Sequence, residues 1–184
     1  MPNTASVISH FEKNQAEFGE KLRKGFRASA ISVSLLTTRD DEGRYHGLAV
    51  TSAAPLSMSL PSIMVAVNQS ASAYPAIQDS CVFCLNHITS DDMELLDRFC
   101  RSDMRASRFA SYAWRCGLHG LPYLETATSS FFCRVIGSHD YGDHTVFVGK
   151  IEGVWLKDHG AARDPAPLIW MNGAPRRLAE HEHA

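Results

Sequence analysis

Residues 129–157 read SSFFCRVIGSHDYGDHTVFVGKIEGVWLK. Apolar residues alternate with polar or small ones on either side of a polar patch, the period-two signature of strands. The pattern predicts two strands joined by a turn around Ser138–Asp143, with Gly142 supplying the backbone freedom of the turn. Strands joined so closely run antiparallel, because a parallel pair needs a crossover of a dozen or more residues. The stretch therefore argues for an antiparallel sheet. Gly142 serves the turn, and Val146 and Val148 serve a core or an interface. Asp143 and His144 stand at the lip of the second strand, where neither can join a core. Locally the pair is a turn; His144 also lies where a ligand can reach it.

The rest of the chain fits this reading. Ile31, Val33 and Leu35 alternate with polar residues, residues 40–43 (DDEG) form a turn, and Leu48–Val50 resume a strand. Residues 62–68 (SIMVAVN), 82–88 (VFCLNHI) and 167–173 (PLIWMNG) are further strands. Phe11, Phe18, Leu22 and Phe26 recur at helical spacing, so residues 10–24 read as an amphipathic helix, with Ser9 and Glu12 at capping-box spacing. Pro75 fits the first turn of a short helix beginning after the loop at Gln69. Residues 89–100 (TSDDMELLDRFC) form a helix capped by Thr89 or Ser90, with Met93, Leu96 and Phe99 on one stripe. Residues 101–125 are an irregular excursion carrying aromatics, and the tail RRLAEHEHA is frayed. The expectation is a mainly β protein, a small barrel with peripheral helices, in one domain over 1–184.

With 184 residues, 45% hydrophobic and 21% charged, the chain has ordinary globular composition. A net charge of -2 gives no footprint for nucleic acid or an anionic membrane. Arg98, Arg101, Arg105 and Arg108 are interleaved with acids and read as a solvated helix face. The N-terminal stretch lacks the apolar core of a signal peptide, and no apolar run reaches the ~18 residues of a spanning helix. Five cysteines scattered through apolar segments suit reduced thiols in a cytoplasm. Cys81 and Cys84 lack the further ligands a zinc site needs and read as structural thiols. Among nine histidines, His10, His46, His119 and His159 carry no spacing signal, and His181 and His183 lie in the tail. Nucleotide-binding glycine loops and the nucleophile elbow are missing from the sequence, which excludes a Rossmann manner of binding.

The informative stretch is 47–72, GLAVTSAAPLSMSLPSIMVAVNQSAS. Small and hydroxyl residues (Thr51, Ser52, Ala53, Ala54, then Ser57 and Ser59) lie between two strands. Such residues let a backbone approach a flat ligand and offer amides and hydroxyls to its polar edge. Taken alone, this is also what an ordinary Ser/Ala/Pro-rich loop looks like.

Four stretches in order carry a resemblance: 47–72, then VFCLNHITSDDMELLDRF (82–99), GDHTVFVGKIEGV (142–154) and PLIWMNGAPRRL (167–178). Together they resemble the short-chain flavin reductases, the reductase components of two-component flavin-dependent monooxygenases, over about residues 26–178. The resemblance implies an FMN-binding split β-barrel and a homodimer with flavin near the subunit interface. It implies FMN or FAD, NADH or NADPH as co-substrate, and a monooxygenase component that receives reduced flavin. Residue by residue, Thr51, Ser52, Ala53 and Ala54 would line the isoalloxazine, and Ser57 and Met58 would continue along it. Asn68, Ser70, Ala71 and Ser72 would form the loop near the ribityl chain and phosphate, with Cys84 and Asn86 on the strand behind. His144 would face the nicotinamide as the catalytic position, with Asp143 holding its tautomer or only making the turn. Two departures stand out: the family's Asn-Arg is Asn68-Gln69 here, and its aromatic-Arg-Gly is replaced at Trp170–Gly173. A flavin-holding electron carrier or sensor on the same barrel is the competing reading, and NAD(P)H turnover separates the two.

Overall fold

The computed structural model describes residues 15–110, 113–158 and 167–176. In chain order the elements are α1 (Gln15–Arg27), β1 (Ile31–Ser32), β2 (Ser34–Arg39), β3 (Tyr45–Val50), β4 (Ala54–Ser57), β5 (Ser62–Asn68) and α2 (Tyr74–Ser80). There follow β6 (Val82–His87), α3 (Met93–Cys100), β7 (Trp114–Cys116), β8 (Pro122–Leu124), β9 (Ser129–Tyr141), β10 (His144–Leu156), β11 (Ile169–Met171) and β12 (Ala174–Arg176). Short 3₁₀ turns at Arg105–Ser107 and Leu118–Gly120 complete them.

All paired strands are antiparallel. Seven form one sheet in the order β3-β2-β6-β9-β10-β5-β4. The sheet curls on itself: the Ser52 hydroxyl, just past β3, donates to the Ala66 carbonyl on β5 at 2.7 Å. This is a split barrel, mainly β with peripheral helices. Its interior holds Leu36, Val50, Val65, Val67, Phe83, Leu85 and Phe147. Gly149 lets Phe83 fill that space, because a Cβ there would sit 2.5 Å from the Phe83 ring and 2.9 Å from Cys133 Cβ. A second apolar layer outside the barrel packs α3, through Leu95, Leu96 and Phe99, against Val33, Leu35 and Leu124. The buried Arg108 guanidinium spans this edge, donating to the carbonyls of Gly47, Arg98, Phe99 and Arg101.

The β9–β10 hairpin is longer than its sequence suggests. Each strand has thirteen residues and only Gly142 and Asp143 lie between them. Gly142 takes φ +61 and Asp143 does not enter positive φ, the pattern of a type II′ turn that follows strand twist. The strand expected over 167–173 is shorter, β11 ending at Met171: the chain turns at Asn172 (φ 55) and Gly173 (φ 73), the Asn-Gly signature of a type I′ turn, and returns as β12. Residues Ala54–Ser57, expected as loop, form an edge strand on β5. The helix expected over 89–100 starts at Met93, because Thr89–Asp92 is used as a turn. There Asp92 Oδ2 accepts from the Thr89 amide (2.8 Å) and hydroxyl (2.9 Å). Helix α1 runs to Arg27 rather than residue 24, with Lys24 and Arg27 in its last turn. Its Phe18, Leu22 and Phe26 stay exposed in a single chain. The Ser9–Glu12 spacing, His10, His159, His181 and His183 lie outside the described residues. The five cysteines are all free thiols.

Candidate functional site

The alternation along β10 decides which residues face outward. Thr145, Phe147 and Gly149 are buried, so His144, Val146 and Val148 take the other face of the strand. Antiparallel register sets His144 opposite Asn68, Val146 opposite Ala66 and Val148 opposite Met64. The next strand adds Ala54 opposite Met64. The Ser52–Ala66 bond brings the Thr51–Ala54 segment to the same sheet edge. The Gln69 amide donates to the Asp143 carbonyl at 2.9 Å, which ties the loop after β5 to the hairpin tip. Three stretches far apart in sequence, 51–54, 66–72 and 143–148, thus border one half-buried strip.

Polar contacts at the upper end of the strip are specific. Asn68 Oδ1 accepts from the Ser70 amide (2.8 Å) and hydroxyl (2.6 Å), an Asx turn. Asn68 Nδ2 donates to Asp143 Oδ2 at 3.3 Å, and the other oxygen of that carboxylate lies 2.7 Å from His144 Nδ1. The His144 hydrogen bond, aided by the Asn68 amide, holds the Asp143 carboxyl below the usual carboxylate range. With an ionised acceptor at Nδ1, the neutral ring carries its proton there and presents Nε2 as an acceptor. Asp143 sits in the turn and also sets its carboxylate 2.7 Å from His144 Nδ1, so its place is compatible with either role the sequence offers.

A second knot lies beneath and was not legible beforehand. Buried Thr145 donates to Asp140 Oδ1 at 2.6 Å, meets the Tyr74 hydroxyl at 3.0 Å and accepts from Gln69 Nε2 at 3.3 Å. It fastens the start of α2 and the loop before it to β10. The available signal was the inward position of Thr145 in the alternation, a hydroxyl where an aliphatic residue is expected.

Other expected residues fall elsewhere. Ser57 pairs with Ser62, at the end of β5 away from Asn68, and its hydroxyl accepts the Leu60 amide at 3.2 Å. Met58 is 87% exposed beside it. Six strand positions separate Ser62 from Asn68, about 20 Å. Cys84 and Asn86 lie on strand β6. Phe83 and Leu85 point into the barrel, so Cys84 and Asn86 point out of it, under the layer made by Leu121–Leu124. Both are fully buried. Asn86 uses its amide group on Leu35 O, Thr37 Oγ1, the Leu124 amide and the Ser130 hydroxyl. Burial pushes the Cys84 thiol well up. These two residues secure strand β6 and have no open side for a ligand. Ala53 and Ala71 pack against the barrel core, so they contribute backbone rather than side chain to the strip.

The remaining polar groupings differ in kind. An open cavity of about 600 Å³ at the other end of β2 and β6 is lined by Arg39, Asp40, Asp79, His119 and Arg134 among others. Of these, Arg39 Nε donates to the His119 carbonyl, and Glu152 nearby meets both His119 and Arg134. No cluster suited to a metal ion occurs among the described residues.

The family model for the flavin reductase like domain matches residues 26–179. The chain is 30% identical over 143 residues to an FMN reductase (NADH) RutF of Stutzerimonas stutzeri, covering 78% of this chain and 82% of that protein. It is 30% identical over 155 residues to the reductase component of an FADH(2)-dependent resorcinol hydroxylase of Rhizobium sp., covering 84% of each. Among solved structures, nitrilotriacetate monooxygenase component B of Mycobacterium thermoresistibile superposes with a TM-score of 0.81 at 26% identity, covering 90% of this chain and 89% of that one. With the matched span containing the whole barrel and the strip on its outer face, the chain belongs to the flavin reductase-like family.

Proposed function

We propose that this protein is an NAD(P)H-dependent flavin reductase that supplies reduced FMN or FAD to a partner monooxygenase component. The carrying observation is the convergence of Thr51–Ala54, Asn68–Ser72 and His144 on one strip, with the Asp143 carboxylate bound to both Asn68 and His144. The residues present suit a flat ring: Ala54, Ala66, Val146 and Val148 offer small or branched apolar surface in register on adjacent strands. Flavin and nicotinamide supply the hydride chemistry between them when bound together. The chain's part is to orient and shield. Thr51–Ala54 would present backbone amides to the polar edge of the ring, where negative charge grows on reduction. His144, fixed through Nδ1, would offer Nε2 to the carboxamide of the nicotinamide, while Val146 and Val148 keep water from the contact.

A homodimer is part of this reading. Leu56, Met58, Leu60 and Met64 expose apolar surface along the β4–β5 edge, and α1 exposes Phe18, Leu22 and Phe26. Ser57 and Met58, remote from Asn68 within one chain, would then meet flavin across that interface. The test is steady-state oxidation of NADH and of NADPH with added FMN, FAD or riboflavin. Flavin-dependent turnover with at least one nucleotide is the expected result. A protein that binds flavin tightly and oxidises neither nucleotide would instead be an electron carrier or sensor.

A further inference from the structure

The cavity at the far end of β2 and β6 is walled by some charges that are matched and some that are not. Asp40 is matched: it accepts from Arg44 Nε at 2.7 Å and lies 2.9 Å from His46 Nε2. His119 and Arg134 share the Glu152 carboxylate. Arg39 is different. Its Nε donates to the His119 carbonyl at 2.6 Å, and Nη1 makes only a long 3.4 Å bond to the Asp40 carbonyl. Gly120 (φ +70) makes room for that side chain, since a Cβ there would lie 3.1 Å from Arg39 Nε. The guanidinium is thus held at Nε, and no carboxylate pairs with it among the described residues.

Asp41 and Asp79 line the same cavity and are exposed. Their carboxylates enter no hydrogen bond or ion pair among the described residues. The wall that carries Asp79 is fixed, because the Ser80 hydroxyl lies 3.1 Å from the Thr38 hydroxyl, which donates to the Val82 carbonyl at 2.7 Å. One positive and two negative groups therefore face a common space of about 600 Å³, each without a partner of opposite charge. A space of that size accepts a small molecule. A ligand that satisfies all three groups carries one carboxylate, for the guanidinium fork, and two cationic groups, for the two acids.

We propose that this cavity is a second ligand site, and that it takes a basic amino acid of the lysine, ornithine or arginine kind. The ligand carboxylate lies against Arg39, and its α-ammonium and side-chain cation meet Asp41 and Asp79. A neutral amino acid leaves one acid unmatched, an acidic one adds a further anion, and a diamine leaves Arg39 unmatched. The cavity shares no residue with the strip formed by Thr51–Ala54, Asn68–Ser72 and His144, so the inference stands apart from the reductase reading.

Amide chemical shifts of the full chain, followed by NMR while L-lysine is added against a sodium chloride control of equal ionic strength, read the site directly. Saturable shifts are expected at Arg39–Asp41, Gln78–Ser80 and His119, with a dissociation constant of roughly 1–10 mM, as suits a few partly solvated ion pairs. L-Arginine is expected to behave alike, while L-alanine, L-glutamate and cadaverine each bind weaker by about threefold or more. Raising salt from ~20 to ~200 mM is expected to weaken lysine binding, because screening acts on an attraction. Asp79→Asn removes a carboxylate that holds nothing in the fold. It is expected to leave the thermal midpoint in place and weaken lysine by about threefold to fivefold. Shifts that sodium chloride reproduces, alanine, glutamate or cadaverine binding as tightly as lysine, or an unchanged lysine affinity in Asp79→Asn would each overturn the inference.

Discussion

Asn86→Ala separates a ligand role from a structural one. Asn86 is fully buried and its side chain makes five hydrogen bonds: to Leu35 O (3.1 Å), Thr37 Oγ1 (3.2 Å), the Leu124 amide (2.9 Å), the Ser130 hydroxyl (2.9 Å) and, more weakly, the Cys84 thiol (3.8 Å). On truncation the two hydroxyls can rotate, and Thr37 keeps the Pro122 carbonyl at 2.6 Å. The Leu124 amide and the Leu35 carbonyl cannot rotate. An unpaired buried group costs about 1–3 kcal/mol, so the two together predict a loss of about 2–6 kcal/mol. For a chain of this length that corresponds to a midpoint lower by roughly 5–25 °C. Thermal unfolding by circular dichroism at one fixed protein concentration measures it, the concentration being held because association would move the midpoint too. Flavin titration well below the lowered midpoint is expected to give the wild-type dissociation constant. An unchanged midpoint together with flavin affinity reduced by about tenfold would refute the reasoning and restore Asn86 to the flavin site.

His144→Ala is expected to raise the nicotinamide KM more than the flavin KM; the reverse pattern in steady-state kinetics would remove its assigned role. The Asp143 carboxyl is held below its usual range chiefly by the His144 hydrogen bond. Its folded-state pKa lies below the unfolded one, so the contact stabilises the fold above the ordinary carboxylate range and fades as pH falls through the depressed value. Carboxyl resonances followed by NMR through the acid range should show Asp143 titrating late in wild type and nearer its ordinary position in His144→Ala. Gly149→Ala would place a Cβ 2.5 Å from the Phe83 ring, and overpacking of this kind is expected to cost about 1–3 kcal/mol in denaturant unfolding. Phe83→Leu in the same chain should recover part of that loss, and strict additivity of the two changes would show that the contact is not the cause.

The sheet was legible because its signals are local. Alternation along 129–157 gave the hairpin, and the glycine at its tip gave the turn. The Asn172–Gly173 turn was equally local, and reading 167–173 as one strand passed over the strongest short hairpin signal in the chain. The start of α3 was misread for a different reason. Thr89 and Ser90 are good caps in isolation, yet Asp92 bonds back to Thr89 and across to Thr126, a contact 34 residues away that no local pattern encodes. Nor does the sequence tell which faces of the strand Cys84 and Asn86 take. Strand β6 is buried on both faces, so its sequence runs apolar almost without interruption and gives no period from which inside and outside can be told.

The grouping of the site was visible only through resemblance, and the register explains why. Three parts of the strip are set by pairing: His144 opposite Asn68, Val146 opposite Ala66 and Ala54 opposite Met64. A slip of one residue in β10 would turn His144 inward and bring Thr145 to the surface. Two features prevent it. The type II′ turn leaves only Gly142 and Asp143 between the strands, which fixes β10 against β9. The buried Thr145 hydroxyl, held by Asp140, Tyr74 and Gln69, then fixes it against the loop after β5. The residue placed nearest the proposed chemistry is therefore positioned by its neighbour on the opposite face. Thr145→Val keeps the shape of that neighbour and removes its hydrogen bonds. It is expected to loosen the 69–74 loop, which amide exchange at Gln69–Tyr74 would report as faster than wild type. Unchanged exchange in that loop would mean that turn and strand pairing alone hold the register.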